Sequence, residues 1–405
     1  MHFIFTNKNI SKLILSNTIT RFGDSVETIA FSWVVYQLTG SLSIMGLVFA
    51  LNFIPNIIFA PFAGVYADRH NRKSIVIISD LFRGVNASLI AILIFQQSAN
   101  VWMIVAFSFI NSTLESFANP ARRSLFADLI EPENFLKVAS VSSSLSSTAE
   151  LFGLGTAGLI VAFGGNGMAF FVDALTFFIS AFGIASISYH RTIPKETSEN
   201  SYWTDIKQGL QLLGEYKIIP ICIAASAMLN FFFTPLNVLL PKYADDVLHM
   251  GVKGVSLIEA AMTIGIICGG LVIASIHKRF KLSTISISGF ILLGSTYLLL
   301  GLLPHLPIQP FQAEFSVVVA FLFGMAVPTI ATPLQTTVMK IIPENKRGII
   351  SSVMGTFILI AIPLGGAIVG IIGDHLSVSQ YFYVAAIGIL FLSGFLFTNQ
   401  TYRKI

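Results

Sequence analysis

Ionisable side chains interrupt long apolar stretches at a few positions, and these are the first candidates for chemistry. The first apolar stretch contains Arg21, Asp24 and Glu27, and a later one contains Glu150. An ionisable residue deep in a membrane span costs several kcal/mol, so it is a functional candidate by default. Arg21 and Asp24 lie one helical turn apart and are expected to pair, which leaves Glu27 less neutralised. Glu150 has no basic residue within a turn, as a proton carrier or a cation-binding group requires.

These four residues are therefore predicted to couple protons or to bind substrate, and the alternative is a buried structural ion network. A second set of charges lies nearer the ends of apolar stretches. Asp80 and Arg83 are spaced to pair, and Glu115 is placed to join Arg122. We interpret these four as a cytoplasmic network that serves a gate or packing. Asp173 lies about a turn from the opposite surface, where it lines an outer vestibule or serves structure.

Polar residues and prolines also interrupt two apolar stretches of the second half. Prolines inside a membrane span free backbone groups, which usually marks a bend or a cavity. We expect one wall of a large, mostly apolar pocket here. The candidates are Asn230, Phe233, Asn237, Glu259, Thr332 and Gln335. A lipid-facing position is the alternative for the phenylalanine, and a structural role is the alternative for the glutamate.

Arrangements typical of enzymes are missing from the sequence. It has no metal-spaced His/Cys set, no nucleophile motif and no phosphate-binding glycine loop. Cys222 and Cys268 fall inside apolar runs and are read as packing residues. The sequence therefore predicts neither an enzyme nor a bound metal or cofactor.

The composition requires lipid as the solvent for the elements that position these residues. Hydrophobic residues make up 54% of the 405 and charged residues only 11%, against about 25% charged in soluble domains. Apolar runs of the roughly 20 residues that a membrane span needs recur twelve times. They cover about 12–38, 42–66, 75–97, 101–119, 138–163, 168–189, 218–241, 253–277, 284–303, 313–339, 349–372 and 380–399. The prediction is an all-α membrane protein with twelve transmembrane helices.

The distribution of basic residues predicts the orientation of the chain. Twenty of the 24 Lys and Arg residues lie at the termini or in connections on the same side as the termini. Only Lys242 and Lys253 lie on the opposite side, and Arg21 and Arg83 lie within spans. By the positive-inside rule, both termini are cytoplasmic. The formal charge of +4 is therefore a feature of topology, and no nucleic acid partner is expected.

A polar stretch over 191–217 divides the chain into 1–190 and 218–405, each with six predicted spans. Within this stretch, apolar residues recur at helical spacing: Trp203, Ile206, Leu210 and Leu213. They indicate a short amphipathic helix on the cytoplasmic surface. A plain linker is the alternative.

The connection between spans 2 and 3 reads Gly64-Val-Tyr-Ala-Asp-Arg-His-Asn-Arg-Lys73. It resembles the G-x-x-x-D-R-x-x-R-K signature of the major facilitator superfamily at every fixed position. The equivalent connection of the second half, 274–281, keeps the basic residues but loses the glycine and the aspartate. Segments 119–133, 235–241 and 362–366 are similar to the macrolide-efflux and enterobactin-exporter branch of that superfamily. The resemblance implies two parallel six-helix bundles that alternate access to one site.

The resemblance also implies roles for the motif residues. The gating set is Gly64, Asp68, Arg69, Arg72 and Lys73. Asp68 is expected to meet the start of span 11, near 348–352, where a carboxylate faces the positive end of a helix dipole. The alternative is that the basic residues only fix topology.

Two features of drug antiporters are absent from this sequence. Asn111 is the nearest match to the arginine often found in span 4, and the glycines of span 5 (Gly153, Gly155 and Gly158) lack the proline of the antiporter motif. The function predicted is proton-coupled export of an amphipathic small molecule, such as a drug or a siderophore, across the inner or plasma membrane. A lysophospholipid flippase of the same fold is the alternative. The expected partners are the substrate, protons and membrane lipid, and we expect a monomer.

Overall fold

The computed structural model describes residues 7–189, 216, 218–307, 311–342 and 347–403, without the side chains of 60–61 and 347–353. Every regular element in these residues is helical. The α-helices are α1 Lys8–Thr39, α2 Leu42–Arg69, α3 Arg72–Phe95, α4 Val101–Leu129, α5 Pro132–Ala185, α6 Ile218–Asp246, α7 Gly251–Ile276, α8 Leu282–Leu302, α9 Gln312–Ile341, α10 Arg347–Ile372, α11 Val378–Thr398 and α12 Gln400–Arg403. Short 3₁₀ turns follow α8 and α10, at Leu303–His305 and Gly373–His375.

The helix lengths agree with twelve membrane spans. Ten of the described helices are long and apolar enough to cross a membrane. One of them, α5, has 54 residues, which is about 80 Å of helix, against a hydrocarbon core of about 30 Å. It is broken at Gly165, whose φ of 74° and ψ of 173° are not helical, so it supplies two spans. The ten helices therefore provide eleven spans. The 32-residue α1 is not among the ten because of its polar and charged residues, and it is the twelfth span.

The chain forms two compact units. Met1–Thr39 and Leu51–Glu199 form the first, which we call the N-terminal bundle. Gly40–Ala50 and Asn200–Ile405 form the second, the C-terminal bundle. The start of α2 thus clusters with the second unit. The predicted linker helix with Trp203, Ile206, Leu210 and Leu213 lies outside the described residues, so it stays a prediction together with the domain limits.

Glycines bring α1 and α5 together in the N-terminal bundle. A Cβ atom added to Gly153 of α5 would lie 2.7 Å from the backbone oxygen of Phe22 in α1. A Cβ on Gly23 of α1 would lie 2.6 Å from Oδ1 of Asp173 in α5. Small residues let membrane helices approach at backbone distance. The polar face of α1 therefore lies directly against α5, and α3 packs on α5 beside it.

Aromatic side chains fill the interior of the C-terminal bundle. The Tyr297 ring of α8 lies 5.1 Å from Phe323 of α9 and 5.7 Å from Phe382 of α11, between ring centroids. The hydroxyl of Tyr297 donates to the backbone oxygen of Phe232, so its polar end is satisfied. These contacts join α8, α9 and α11 without buried charge.

Candidate functional site

Three ion pairs join neighbouring helices inside the N-terminal bundle, and each matches one arginine to one carboxylate. The pairs are Arg21–Glu150 at 2.8 Å, Arg83–Asp24 at 2.9 Å and Arg122–Asp80 at 2.6 Å. Each pair bridges two different helices, so these charges hold α1, α3, α4 and α5 together.

The predicted pairing of Arg21 with Asp24 is wrong. The Arg21 guanidinium donates from both Nε and Nη2 to Oε2 of Glu150, at 3.1 and 2.8 Å. Glu150 is therefore not an unpaired carboxylate, and its predicted role loses its main support. The physical reason is the close α1–α5 contact, because a side chain on that seam meets the facing helix more directly than a neighbour on its own helix.

The predicted cytoplasmic network is also paired differently. Asp80 accepts from Arg122 and from the Ser180 hydroxyl at 2.7 Å, and not from Arg83. Arg83 bonds Asp24 instead, and its guanidinium carbon lies 4.2 Å from the centre of the Phe177 ring. These arginines point into the bundle, where acids of other helices are nearer than the acid one turn away.

Glu115 was expected to join Arg122 but does not. Its Oε1 accepts from the side-chain amide of Asn119, 3.2 Å away on the same helix. Arg122 instead donates to Asp80 and to Oδ1 of Asn17 at 2.8 Å.

Glu27 and Asp173 form the most unusual arrangement in the bundle, which we call the Glu27–Asp173 pair. Oxygen atoms of Asp24, Glu27 and Asp173 all lie within 4.8 Å of one another. Asp173 is fully buried, and neither of its carboxylate oxygens has a hydrogen-bond partner among the described residues. Asp24 is neutralised by Arg83, but no basic side chain in the described part of the chain forms an ion pair with the other two acids.

Two asparagine side chains extend the hydrogen-bond network from Glu27. The Asn111 amide donates to Oε2 of Glu27 at 3.4 Å, and the Asn86 amide donates to Oδ1 of Asn111 at 3.1 Å. Asn111, the match to the span-4 arginine of drug antiporters, thus contacts the site as a neutral donor. Where the arginine of drug antiporters would place a positive charge, this chain has a neutral amide that forms a hydrogen bond with Glu27.

The chemistry open to the pair follows from its oxygens. Two adjacent carboxylates can share one proton, since a protonated carboxyl donates to its neighbour. Together with Asp24, the pair forms the only group of acids among the described residues that could hold a metal ion. Oxygen ligands suit hard cations. The sequence placed Asp173 at an outer vestibule or in a structural role and did not foresee this contact. The sequence feature that could have pointed to Asp173 was an acidic residue inside an apolar run.

The motif residues tie helix ends together within the N-terminal bundle. Arg72 donates to Asp68 at 2.9 Å and to Asp128 of α4 at 2.6 Å. Lys73 donates to two backbone oxygens, Ala185 at the end of α5 and Ile187 just beyond it, at 2.7 Å each. Asp128 was missed as the partner of the motif arginine, although it lies in the segment 119–133 that carries the family resemblance.

The other motif predictions are not tested by these contacts. Arg69 is exposed and Gly64 has open space where a Cβ would point. The predicted contact of Asp68 with 348–352 falls on side chains outside the described part, so the gating role stays a prediction.

The pocket candidates of the C-terminal bundle lie on three helices. Asn230 of α6 donates to the backbone oxygen of Ser226, one turn back, at 3.0 Å. The Phe233 ring packs 5.6 Å from Phe323, as part of the aromatic interior. Asn237 is half-buried on the same helix.

Glu259 is half-buried on α7, and Thr332 and Gln335 are exposed on α9. These three residues lie on helices other than α6, which carries Asn230, Phe233 and Asn237. Their role as a pocket wall therefore stays a prediction.

A polar seam between α2 and α4 was missed. Oδ1 of Asn52 accepts from the hydroxyls of Ser108 (2.7 Å) and Ser112, and Oδ1 of Asn56 accepts from Ser116 at 2.9 Å. The asparagines are four residues apart and so are the serines. Helical spacing on two neighbouring spans could have revealed this seam.

Comparisons with known proteins identify relatives over most of the chain. The family model described as Major Facilitator Superfamily matches residues 13–366. Macrolide efflux protein A of Streptococcus pyogenes is 26% identical, over 89% of this chain and 88% of its own. Multidrug efflux pump Tap of Mycolicibacterium fortuitum is 24% identical, over 91% and 90%. The crystal structure of the nucleoside transporter NupG matches with a TM-score of 0.78 at 16% identity, over 97% of this chain and all of its own.

Proposed function

Because the chain belongs to the major facilitator superfamily, and is thus a multi-pass transporter of the cell membrane and not an enzyme, we propose that it exports an amphipathic small molecule in exchange for protons. The Glu27–Asp173 pair carries this proposal. In it, two adjacent carboxylates inside the described N-terminal bundle lack an ion-pair partner.

The electrostatics of the pair support proton coupling. Two like charges about 4 Å apart repel by roughly 4 kcal/mol at an effective dielectric constant of 20, and desolvation adds to that cost. A proton on either carboxyl removes the repulsion and supplies a hydrogen bond. A positive group of a substrate removes it as well. Protons and a cationic substrate therefore compete for the same charge, which is the requirement for antiport.

The neighbouring ion pairs support the same assignment. Arg21–Glu150, Arg83–Asp24 and Arg122–Asp80 are already matched, so each of these acids has an arginine partner, which Glu27 and Asp173 lack. Glu27 is only partly buried, which leaves it accessible, whereas Asp173 is enclosed. We assign proton exchange with water to Glu27 and retention of the shared proton to Asp173.

The substrate class follows from the relatives and from the site. Relatives named for macrolide efflux and multidrug efflux match about nine-tenths of the chain. A site with a few acids among mostly apolar helices suits a large apolar molecule with a positive group. We propose export as the direction on the same ground.

The test uses everted membrane vesicles and a radiolabelled macrolide with an amine group. The wild-type chain is expected to accumulate the compound when the vesicle lumen is made acidic, so that protons leave as the compound enters, and a protonophore is expected to abolish the accumulation. The double variant E27Q/D173N is expected to lose proton-driven accumulation. E314Q, which neutralises an exposed acid at the start of α9, is the matched control and should transport normally.

Two results would overturn the proposal. Accumulation that persists without a proton gradient removes proton coupling, and proton-driven accumulation by E27Q/D173N removes the pair from the mechanism. Movement of a fluorescent lysophospholipid between leaflets, with no macrolide transport, would replace the exporter with a lipid flippase.

A further inference from the structure

A groove in the C-terminal bundle, far in sequence from the acids of α1, is a second candidate for binding. A groove of about 650 Å³ opens where α8 begins and where the described chain ends, between α8 on one side and the ends of α11 and α12 on the other. None of its nine lining residues is acidic, and two are basic. The groove thus presents positive charge that the site itself does not neutralise.

The α8 wall changes from charged to apolar along the helix axis. Besides the buried Ser283 and Ile287, this wall holds Lys281, Thr284, Ser288 and Ile291 in that order. Their spacing of three and four residues places them on one face of the helix. These four side chains pass from a cation through two hydroxyls to an aliphatic group. They span about 15 Å along the helix at 1.5 Å per residue.

The opposite wall also combines a cation, a polar amide and an apolar ring. Arg403 lies at the end of α12, Gln400 at its start and Phe397 in the last turn of α11, and all three line the groove. The Arg403 guanidinium carbon lies 5.1 Å from the centre of the Phe397 ring, so the cation and the ring belong to one surface.

The backbone at the charged end adds a further preference for an anion. Lys281 is the N-cap residue of the 21-residue α8, and no side chain caps the helix there. The first backbone N–H groups of a helix lack partners within it and favour negative charge. Lys281 therefore stands beside uncapped donors at the same end of the groove.

We propose that this groove binds one acidic phospholipid, with its phosphate between Lys281 and Arg403 and an acyl chain along Ile291 and Phe397. Both apolar residues are about half exposed, as a surface in contact with a lipid chain would be. The change from charge to apolar surface along α8, with a cation and a ring on the facing wall, matches the passage from headgroup to hydrocarbon. A free phosphate would use the cations but not the apolar end. The charge distribution of the sequence assigns this end to the cytoplasmic leaflet, where acidic lipids attract basic residues.

The experiment titrates the purified full chain in dodecyl maltoside with dioleoyl phosphatidylglycerol and counts bound lipid by native mass spectrometry. K281Q/R403Q is expected to weaken binding of the first lipid about 30-fold, because each basic residue near a membrane surface contributes roughly a fivefold change. K278Q/R279Q removes two neighbouring exposed basic residues outside the groove and should bind like the wild type. S288W fills the groove without a change of charge and should also weaken binding.

The outcomes separate the sources of the signal. Wild-type affinity in both K281Q/R403Q and S288W overturns the proposal, as does an equal loss in K278Q/R279Q, which would indicate unspecific attraction. Equal binding of dioleoyl phosphatidylcholine also overturns it, because that lipid carries no net charge. Displacement of the lipid by a hundredfold excess of inorganic phosphate would identify an anion site without lipid specificity. The binding assay needs no substrate, so it stands whether or not the proposed export is found.

Discussion

The two bundles of this protein stabilise their interiors by different means. The N-terminal bundle contains three arginine–carboxylate pairs in its interior, besides those that Arg72 forms at the helix ends, and the Glu27–Asp173 pair lies beside them. The C-terminal bundle packs aromatic rings, and its Lys242–Asp246 ion pair lies at a helix end with both side chains partly exposed. The difference teaches that, in the described residues, paired charge is concentrated in the interior of the N-terminal bundle, whereas the interior of the C-terminal bundle is packed with aromatic rings.

Among the variants that test this difference between the bundles, R83L is expected to have the largest effect. Its side chain is only 9% exposed and pairs with Asp24, and removal of one partner of a buried pair costs about 3–5 kcal/mol. The free energy of unfolding in mixed micelles is expected to fall by about 3 kcal/mol, because Asp24 keeps some access to water. D24N in the R83L background should recover part of this loss. A loss below about 1 kcal/mol in R83L would show that the pair does not stabilise the bundle.

A smaller effect is expected in the aromatic interior from Y297F. The substitution keeps the ring contacts and removes one hydrogen bond to the backbone oxygen of Phe232, which is worth about 1 kcal/mol. The same unfolding measurement checks the value. Proton-driven transport should be unchanged, and a loss of proton coupling in Y297F would contradict the division between the bundles.

The smallest effect is expected from K242Q at the end of α6. Its partner Asp246 is four residues away, and the two side chains are 30% and 49% exposed. Exposed pairs at this spacing contribute about 0.3–0.5 kcal/mol. The midpoint of thermal unfolding should therefore stay within error of the wild type at physiological salt. A large shift would mean that the C-terminal bundle also depends on charge.

The sequence was sufficient to predict the membrane spans and to identify the charged residues inside them. Hydropathy located the helices because a span length is set by the hydrocarbon core and not by the partner it packs against. Even the break in α5 was foreseen, between predicted spans ending at 163 and beginning at 168, and the structure places it at Gly165.

Partnership between helices could not be predicted in the same way. Spacing along one helix suggested Arg21 with Asp24 and Asp80 with Arg83, yet each residue bonds a different helix. Helical periodicity reports which side chains share a face and not which face lies opposite. That information resides in close contacts such as the one between Gly153 and Phe22, which only the three-dimensional packing reveals.

The break at Gly165 bears on how the protein enters the membrane during synthesis. Both spans of α5 are joined there without a polar loop, and the turn is held by a hydrogen bond from Asn166 to Gln37 of 2.6 Å. A φ of 74° with an extended ψ is accessible at low cost only to glycine. We therefore expect the translocon to release these two spans as one helical hairpin, with the direction of the second fixed by the first.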